Sequence, residues 1–385
     1  NKASDCNTLT ALEAFLVSDL GKVVVYAKDT PNFIANRVGV FSMLVACHYT
    51  QELGLGLDDV DKLTGAKIGR PKSATYRTAD LVGLDVLAHV VQTMTDHLPD
   101  DPWAHLYQTP GFVQKLIDAG QLGQKTRGGV YKKTKEGLTV LDLASGEFRA
   151  SKGSIDDDVK AILKEKDLAK RFEQLRTSES VQAQFLWSCF RELFLYCAHW
   201  TPTIAANVRD VDFALRCGFG WKQGPFEIWQ QIGWKKVIDW LNDDLAQGKA
   251  LASVSLPEWV THVSADGVYQ DAGAYNPSAE HFDPRSNLAV YKKQHYPLPI
   301  AGEAEDWGET IFENDGVRVW HTGDDVAVVS FKTKANTIGS SVLEGLQEAV
   351  KAAEKDYKAI VIWQGHSDNF SAGADLMQFA EIFMV

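Results

Sequence analysis

The sequence predicts a mainly α protein that opens on the end of an α/β region and closes on the start of another. Three observations predict it. Apolar residues recur at helical spacing from Pro31 to about residue 115 and again from about 180 to 250. Two segments of these helical regions repeat one another. After residue 312 the pattern changes to short alternating runs around one amphipathic helix. A chain of 385 residues exceeds one ordinary core and, at roughly 150 residues per domain, divides into two or three units.

In chain order, "LTALEAFLVSDLG" places Leu9, Leu12, Phe15, Leu16 and Leu20 on one helix face after a Thr8 start, and "KVVVYAKD" follows as a short strand. A helix and a strand with no earlier partner cannot bury their own apolar faces. Residues 1–28 therefore read as the closing part of an α/β domain, and the chain as an internal piece of a longer polypeptide whose N-terminal and C-terminal parts are missing.

Residues 29–150 read as a first helical domain that ends in the hairpin "GGVYKKTKEGLTVLDLASGEF", and 151–254 as a second, reached through the charged stretch "SKGSIDDDVKAILKEKDLAK". Residues 255–312, rich in Pro, Gly, Asn and His, read as an irregular connection. In 313–385, "GVRVWHTGDDVAVVSF" gives two strands about a Gly-Asp turn, "SSVLEGLQEAVKAAEKD" a helix, "KAIVIWQG" a buried strand and "ADLMQFAEIFMV" a final helix.

The repeat pairs "DDVDKLTGAKIGRPKSATYRTADLVGLD", from Asp58, with "RDVDFALRCGFGWKQGPFEIWQQIGW", from Arg209. Asp61 aligns with Asp212 and Gly83 with Gly233. Each copy follows a long apolar helix, near 31–50 and 181–200.

Composition excludes several functions. The apolar share of 45% with 23% charged residues describes a folded chain. A net charge of −12 without a basic, aromatic-studded stripe opposes nucleic acid. No apolar run reaches membrane length, since "FLWSCFRELFLYCAHW" is broken by Arg191 and Glu192. The five cysteines lack C-x-x-C spacing and the ten histidines lack a metal motif, so no metal site is expected, and a reducing cytoplasm fits best.

The segment "DTPNFIANR" (29–37) poses the functional question. Pro31 suits a first helical turn with Asp29 or Thr30 as cap, and Phe33, Ile34, Val38, Phe41 and Val45 form a buried stripe. Asn36 shares a face with Val40, Met43 and Cys47, so its amide is expected against packed surface. An unpaired buried amide costs about 1–3 kcal/mol. Asn36 therefore either bonds a neighbouring loop or points into a substrate cleft.

"KDTPNFIANRV", together with "GRPKSATYRTADLVGLD", "LGQKTRGGVYK" and "GFGWKQGPFEIWQQIG", resembles the 3-hydroxyacyl-CoA dehydrogenase family over roughly residues 20–245. Asn32 stands where the family usually has Gly, and Asn tolerates left-handed backbone angles. "NFSAGADL" (369–376) and "VAVVSFKTKANTIGSSVLEGL" are similar to the crotonase (enoyl-CoA hydratase) family. A dehydrogenase followed by a hydratase is similar to the bifunctional fatty-acid β-oxidation enzymes in which the dehydrogenase half comes first.

These resemblances imply two tandem helical 3-hydroxyacyl-CoA dehydrogenase C-terminal-type domains, preceded by the end of a Rossmann-type NAD-binding domain and followed by the ββαβ start of a crotonase-type domain. They imply acyl-CoA substrates, NAD as cofactor and a possible homo-oligomer. Asn36 would bind the reacting oxygen; the family's Ser, His and Glu, and its dinucleotide loop, would lie before residue 1.

In the tail, Ala372, Gly373 and Ala374 would hold the thioester, with the Ala374 backbone N–H in the oxyanion hole. The chain alone would complete neither reaction. The second helical copy, with Trp187 at the position of Asn36 and Gln230 at that of Asp80, would serve packing. "GLGLDD" and "CGFGWKQG" contain G-x-G but follow no predicted strand, so neither reads as a phosphate loop. Two alternatives remain: another NAD-dependent hydroxyacid dehydrogenase with an all-helical second domain, or a non-catalytic helical assembly module.

Overall fold

The computed structural model describes residues 5–288, 290, 308–365, 367 and 369–378. The described residues up to Ser286 form one compact unit and those after it a second.

The first unit opens on α1 (Cys6–Ala14), which continues as one π-helical turn, Phe15–Asp19. Its cap is Asp5, whose carboxylate accepts from the Thr8 N–H, rather than Thr8 itself. Leu9, Leu12, Phe15 and Leu20, expected to pack, are each about half exposed. The strand expected at "KVVVYAKD" does not form, because a strand exists only through a partner's hydrogen bonds and here a single bridge, Ala27 to Ala205, supplies them. Among the described residues, the α/β character expected for 1–28 is confined to that helix and that bridge.

The helix α2 (Ala35–Glu52) begins four residues later than Pro31 implies. Asn32 and Phe33 adopt φ of 61° and 51°, a left-handed turn that no helix can contain. Asn32 meets this demand as expected, and its amide donates to the Val90 carbonyl at 3.2 Å. Ile34, Val38, Phe41 and Val45 are buried, but Phe33 is turned out and is 58% exposed.

Around α2 stand α3 (Leu57–Leu63), α4 (Tyr76–Val82), α5 (Leu84–His97) and α6 (Gly111–Asp118). They are followed by an antiparallel sheet of β1 (Tyr131–Thr134), β2 (Gly137–Leu141) and β3 (Phe148–Ala150). After α7 (Asp157–Ile162) and α8 (Leu168–Thr177), the long α9 (Val181–Ile204) packs against α2. Arg191 and Glu192, which interrupt its apolar run, are themselves buried.

Then come α10 (Val208–Phe219), α11 (Pro225–Ile232) and α12 (Trp234–Ala246). The stretch expected as an irregular connection carries regular structure as far as Asp283: α13 (Glu258–His262) and a second antiparallel sheet of β4 (Tyr269–Gln270), β5 (Gly273–Asn276) and β6 (His281–Asp283). Strands this short carry too few alternations to register as a period. Among the described residues, no helix is long and apolar enough to cross a membrane, and no cluster of side chains could hold a metal ion. All five cysteines are free, with Cys47, Cys189 and Cys197 buried.

In the second unit β7 (Glu309–Glu313), β8 (Val317–His321), β9 (Val326–Phe331) and β10 (Ala359–Ile362) form a sheet in the order β10-β9-β8-β7. The strand β7 is an addition to the expected order; it pairs with β8 through a register shift at Thr310/Phe312 that blurs its alternation. The helix Ser340–Asp356 carries the chain across, so β10 runs parallel to β9. Expected as a buried strand, β10 lies at the sheet edge with Val361 and Ile362 exposed. Of the expected final helix, Leu376–Gln378 are helical and the remainder lies outside the described residues.

Candidate functional site

Position 36 lies in the first turn of α2, where a one-residue step rotates a side chain by about a quarter turn. Asn36 and Arg37 therefore diverge. Asn36 is exposed, and its side chain makes no hydrogen bond with the described residues; the expectation of an amide held against packed surface is corrected. The helix is buried from Arg37 to Cys47, and Asn36 precedes the point where packing begins.

Arg37, the other polar residue of the Asn-Arg pair in the segment that posed the functional question, points inward. It is 1% exposed, donates to the Tyr196 hydroxyl at 3.1 Å and to Asp101 at 3.3 Å, and sits over the Trp200 ring at 4.3 Å. Tyr196 also meets the Tyr107 hydroxyl at 3.0 Å and stacks on Phe41.

The same α2/α9 junction holds a second polar group. Glu192 accepts from Trp103 Nε1 and the Leu251 N–H, both at 3.1 Å, and Arg191 donates to the Tyr49 hydroxyl, Glu192 and Asp244. Trp187, at the position aligned with Asn36, donates its Nε1–H to Asp244 at 2.7 Å. Buried charges are retained only where paired and bonded. The sequence signal for these residues was the one read as an interruption of an apolar run.

The repeated aspartates share a role that spacing alone did not disclose. Asp61 accepts from the N–H groups of Thr75, Tyr76 and Arg77 and from the Tyr131 hydroxyl. Asp212 accepts from the N–H groups of Phe226 and Glu227 and from the Tyr269 hydroxyl. Each carboxylate thus takes up free donors at the start of the next helix and pins a tyrosine of the following sheet.

The next aligned pair behaves alike. Asp80 accepts from the N–H groups of Val130 and Tyr131, while Gln230 accepts from the Tyr269 N–H and donates to its carbonyl. The second copy, expected to serve packing, also carries a polar constellation of its own, formed by Asp212, Gln230, Tyr269, Glu227 and Arg216. Burial pushes Asp61 up to about 6, against the pull of its donors. Burial, then the neighbouring Glu227, holds Asp212 well above the usual carboxylate range.

In the second unit, the turn at 335–338 is strapped to 371–375. Asn336, at φ 54°, donates to the Asn369 carbonyl; Ile338 N–H donates to the Gly373 carbonyl and Asp375 N–H to that of Ile338. Gly373 has φ 89°, a conformation that favours glycine. Ala372 donates to the Ala335 carbonyl, whereas the Ala374 N–H has no acceptor among the described residues. Residues 372–374 are exposed.

No dinucleotide cradle is found among the described residues. Gly54 and Gly56 follow helix α2, and Gly218 and Gly220 close helix α10, so neither G-x-G joins a strand to a helix as such a cradle requires.

A helical domain finished by a small antiparallel sheet is the class that the first unit defines. Residues 33–133 match the family model described as 3-hydroxyacyl-CoA dehydrogenase, C-terminal domain. The chain is similar to a "Probable 3-hydroxyacyl-CoA dehydrogenase" of Bacillus subtilis, with 32% identity over 97% of this chain and 46% of the relative. It is also similar to a protein of Rickettsia felis named provisionally as a fatty acid oxidation complex trifunctional enzyme, with 28% identity over 95% of this chain and 45% of the relative.

A "Probable 3-hydroxyacyl-CoA dehydrogenase" of Deinococcus radiodurans is 40% identical over 34% of this chain and 38% of its own length. The chain thus spans about half the length of the first two relatives.

Proposed function

We propose that this chain is part of a fatty-acid β-oxidation enzyme that oxidises 3-hydroxyacyl-CoA to 3-oxoacyl-CoA, with NAD as the hydride acceptor, and that its tail contributes to an enoyl-CoA hydratase site. The observation that carries the reading is Asn36: a polar side chain without a partner among the described residues, at the start of a helix that is buried from Arg37 to Cys47, inside the segment that matches the dehydrogenase domain family. Oxidising a hydroxyl to a ketone builds negative charge on its oxygen. The Asn36 amide N–H, without a partner among the described residues, can donate to that charge, and the neighbouring Arg37, buried and bonded to Tyr196 and Asp101, anchors this end of α2.

The tail is read in the same terms. An Ala374 N–H without an acceptor among the described residues, on a strapped glycine turn, can donate to a thioester oxygen as enolate charge develops, the arrangement of an oxyanion hole. Residues 151–254 are read as a second helical domain of the same kind, whose role is to cover α2 through α9.

The test is Asn36→Ala in the full-length protein, assayed with 3-hydroxybutyryl-CoA. Removing a preorganised donor of this type lowers turnover about 10²-fold, and hydration of an enoyl-CoA should be unaffected. An unchanged oxidation rate would remove Asn36 from the reaction. Turnover of free hydroxyacids in preference to the CoA ester would favour the other hydroxyacid dehydrogenases.

A further inference from the structure

A groove between α4, the loop 123–128 and the β1–β2 hairpin is lined by Lys72, Arg77, Arg127 and Lys133, with Tyr131 and Leu81 among its apolar walls. We propose that this groove binds the phosphate groups of a small organic phosphate, a nucleoside diphosphate being the class that fits.

The first argument is charge. The protein is acidic overall, at −12, yet these four cations are exposed and none has a carboxylate partner among the described residues. Nearby Lys125 shows the ordinary alternative, since it donates to Asp85 at 2.6 Å. Clustered like charges repel one another, and a concave wall focuses their field on an incoming anion. The one acid lining the groove, Asp80, has its two oxygens turned to the Val130 and Tyr131 N–H groups and forms no ion pair with these four cations among the described residues.

The second argument is preorganisation. Gly123 sits at φ 105°, where an added Cβ would meet the Asp80 carbonyl at 2.2 Å, and a Cβ on Gly129 would meet the Asp80 carboxylate at 2.1 Å. The loop is therefore wrapped tightly on Asp80. Its next turn places Arg127 at φ 60°, a left-handed position at which a bulky residue is uncommon. Arg77 projects from α4 with its guanidinium 5.2 Å from the centre of the Tyr131 ring. Two planar guanidinium groups on fixed backbone suit the bidentate geometry of phosphate oxygens, and Leu81 and Leu138 leave an apolar surface for the attached organic part.

The experiment is calorimetric titration of the full-length protein with inorganic pyrophosphate and, separately, with ADP, at low and at raised salt. Saturable binding of pyrophosphate that weakens with salt is expected, and tighter binding of ADP would show that the organic part contributes. Arg77→Gln with Arg127→Gln should weaken pyrophosphate binding at least about tenfold, while Lys235→Gln with Lys355→Gln, which removes the same charge from exposed sites elsewhere, should not. If the arginine pair fails to fold, Lys72→Gln with Lys133→Gln reports on the same groove. Absence of saturable binding, or equal weakening by the remote lysine pair, would overturn the proposal.

Discussion

Asp61 and Asp212 hold the same station in two parts of the first unit, and the contrast between them separates what a repeat keeps from what it loses. Both accept from the head of the following helix and from a tyrosine hydroxyl of the next sheet. Asp212 is fully buried and lies beside Glu227, which accepts from Arg216 and caps its own helix through the Gly224 N–H. An added Cβ at Gly224 would meet the Asp212 carboxylate at 2.2 Å, so the helix is pressed onto it.

At the corresponding place, the first segment has Thr75 buried and Arg77 exposed, with its side chain turned to the open groove. The lesson is that the capping aspartate is scaffold in both segments. The differences lie at the surrounding positions: an exposed Asn36 and an open basic groove in one, a buried Trp187 and a sealed ion pair in the other.

Substitutions can break this comparison. The largest effect is expected for Asp212→Ala, which strands two helix N–H groups and a tyrosine hydroxyl in a dry site; at about 1–3 kcal/mol per stranded group, denaturant unfolding should show a loss of several kcal/mol. Asp61→Ala, whose Arg77 donor lies at the surface, should cost clearly less, and equal losses would contradict the ranking of the two sites. Next comes Arg37→Ala. It leaves Asp101 buried without its cation, and breaking a buried pair in this way costs about 3–5 kcal/mol.

The pH response follows from Asp61. Its folded-state carboxyl is raised to about 6, above the ordinary value of about 4, so the folded protein holds that proton to higher pH than the unfolded chain does. Its contribution to stability is then fully present below about pH 4 and is lost as pH rises through about 6. A carboxyl ¹³C titration that placed Asp61 at its ordinary value would remove this contribution. Smallest of all is the stability effect of Asn36→Ala, expected within about 0.5 kcal/mol. A thermal melt that showed a larger loss would mean that Asn36 is structural, like its neighbour.

Much of the architecture was legible before any coordinates. The helix Ser340–Asp356 coincides with the run read for it, and β8 and β9 lie in the strands read from alternation. Asn32 occupies the left-handed angle anticipated for it. The misses have one cause: they depend on partners rather than on pattern. "KVVVYAKD" has the composition of a strand but only a bridge to complete it, and β10 has that of a buried strand but lies at an edge. The small sheets at 131–150 and 269–283 begin with tyrosines pinned by Asp61 and Asp212, a relation invisible until residues some 57 to 70 positions apart were brought together.

The sequence by itself determined the helical periods, the aspartate repeat and the glycine turns at Gly83 and Gly233, because each is a local demand of backbone geometry or of an apolar stripe. Only the tertiary structure decided that Asn36 faces outward while Arg37 turns in, and that lysines and arginines from α4, the loop 123–128 and the β1–β2 hairpin converge on a groove. Which way a polar side chain points is set by what packs beside it, and packing is a property of the assembled fold.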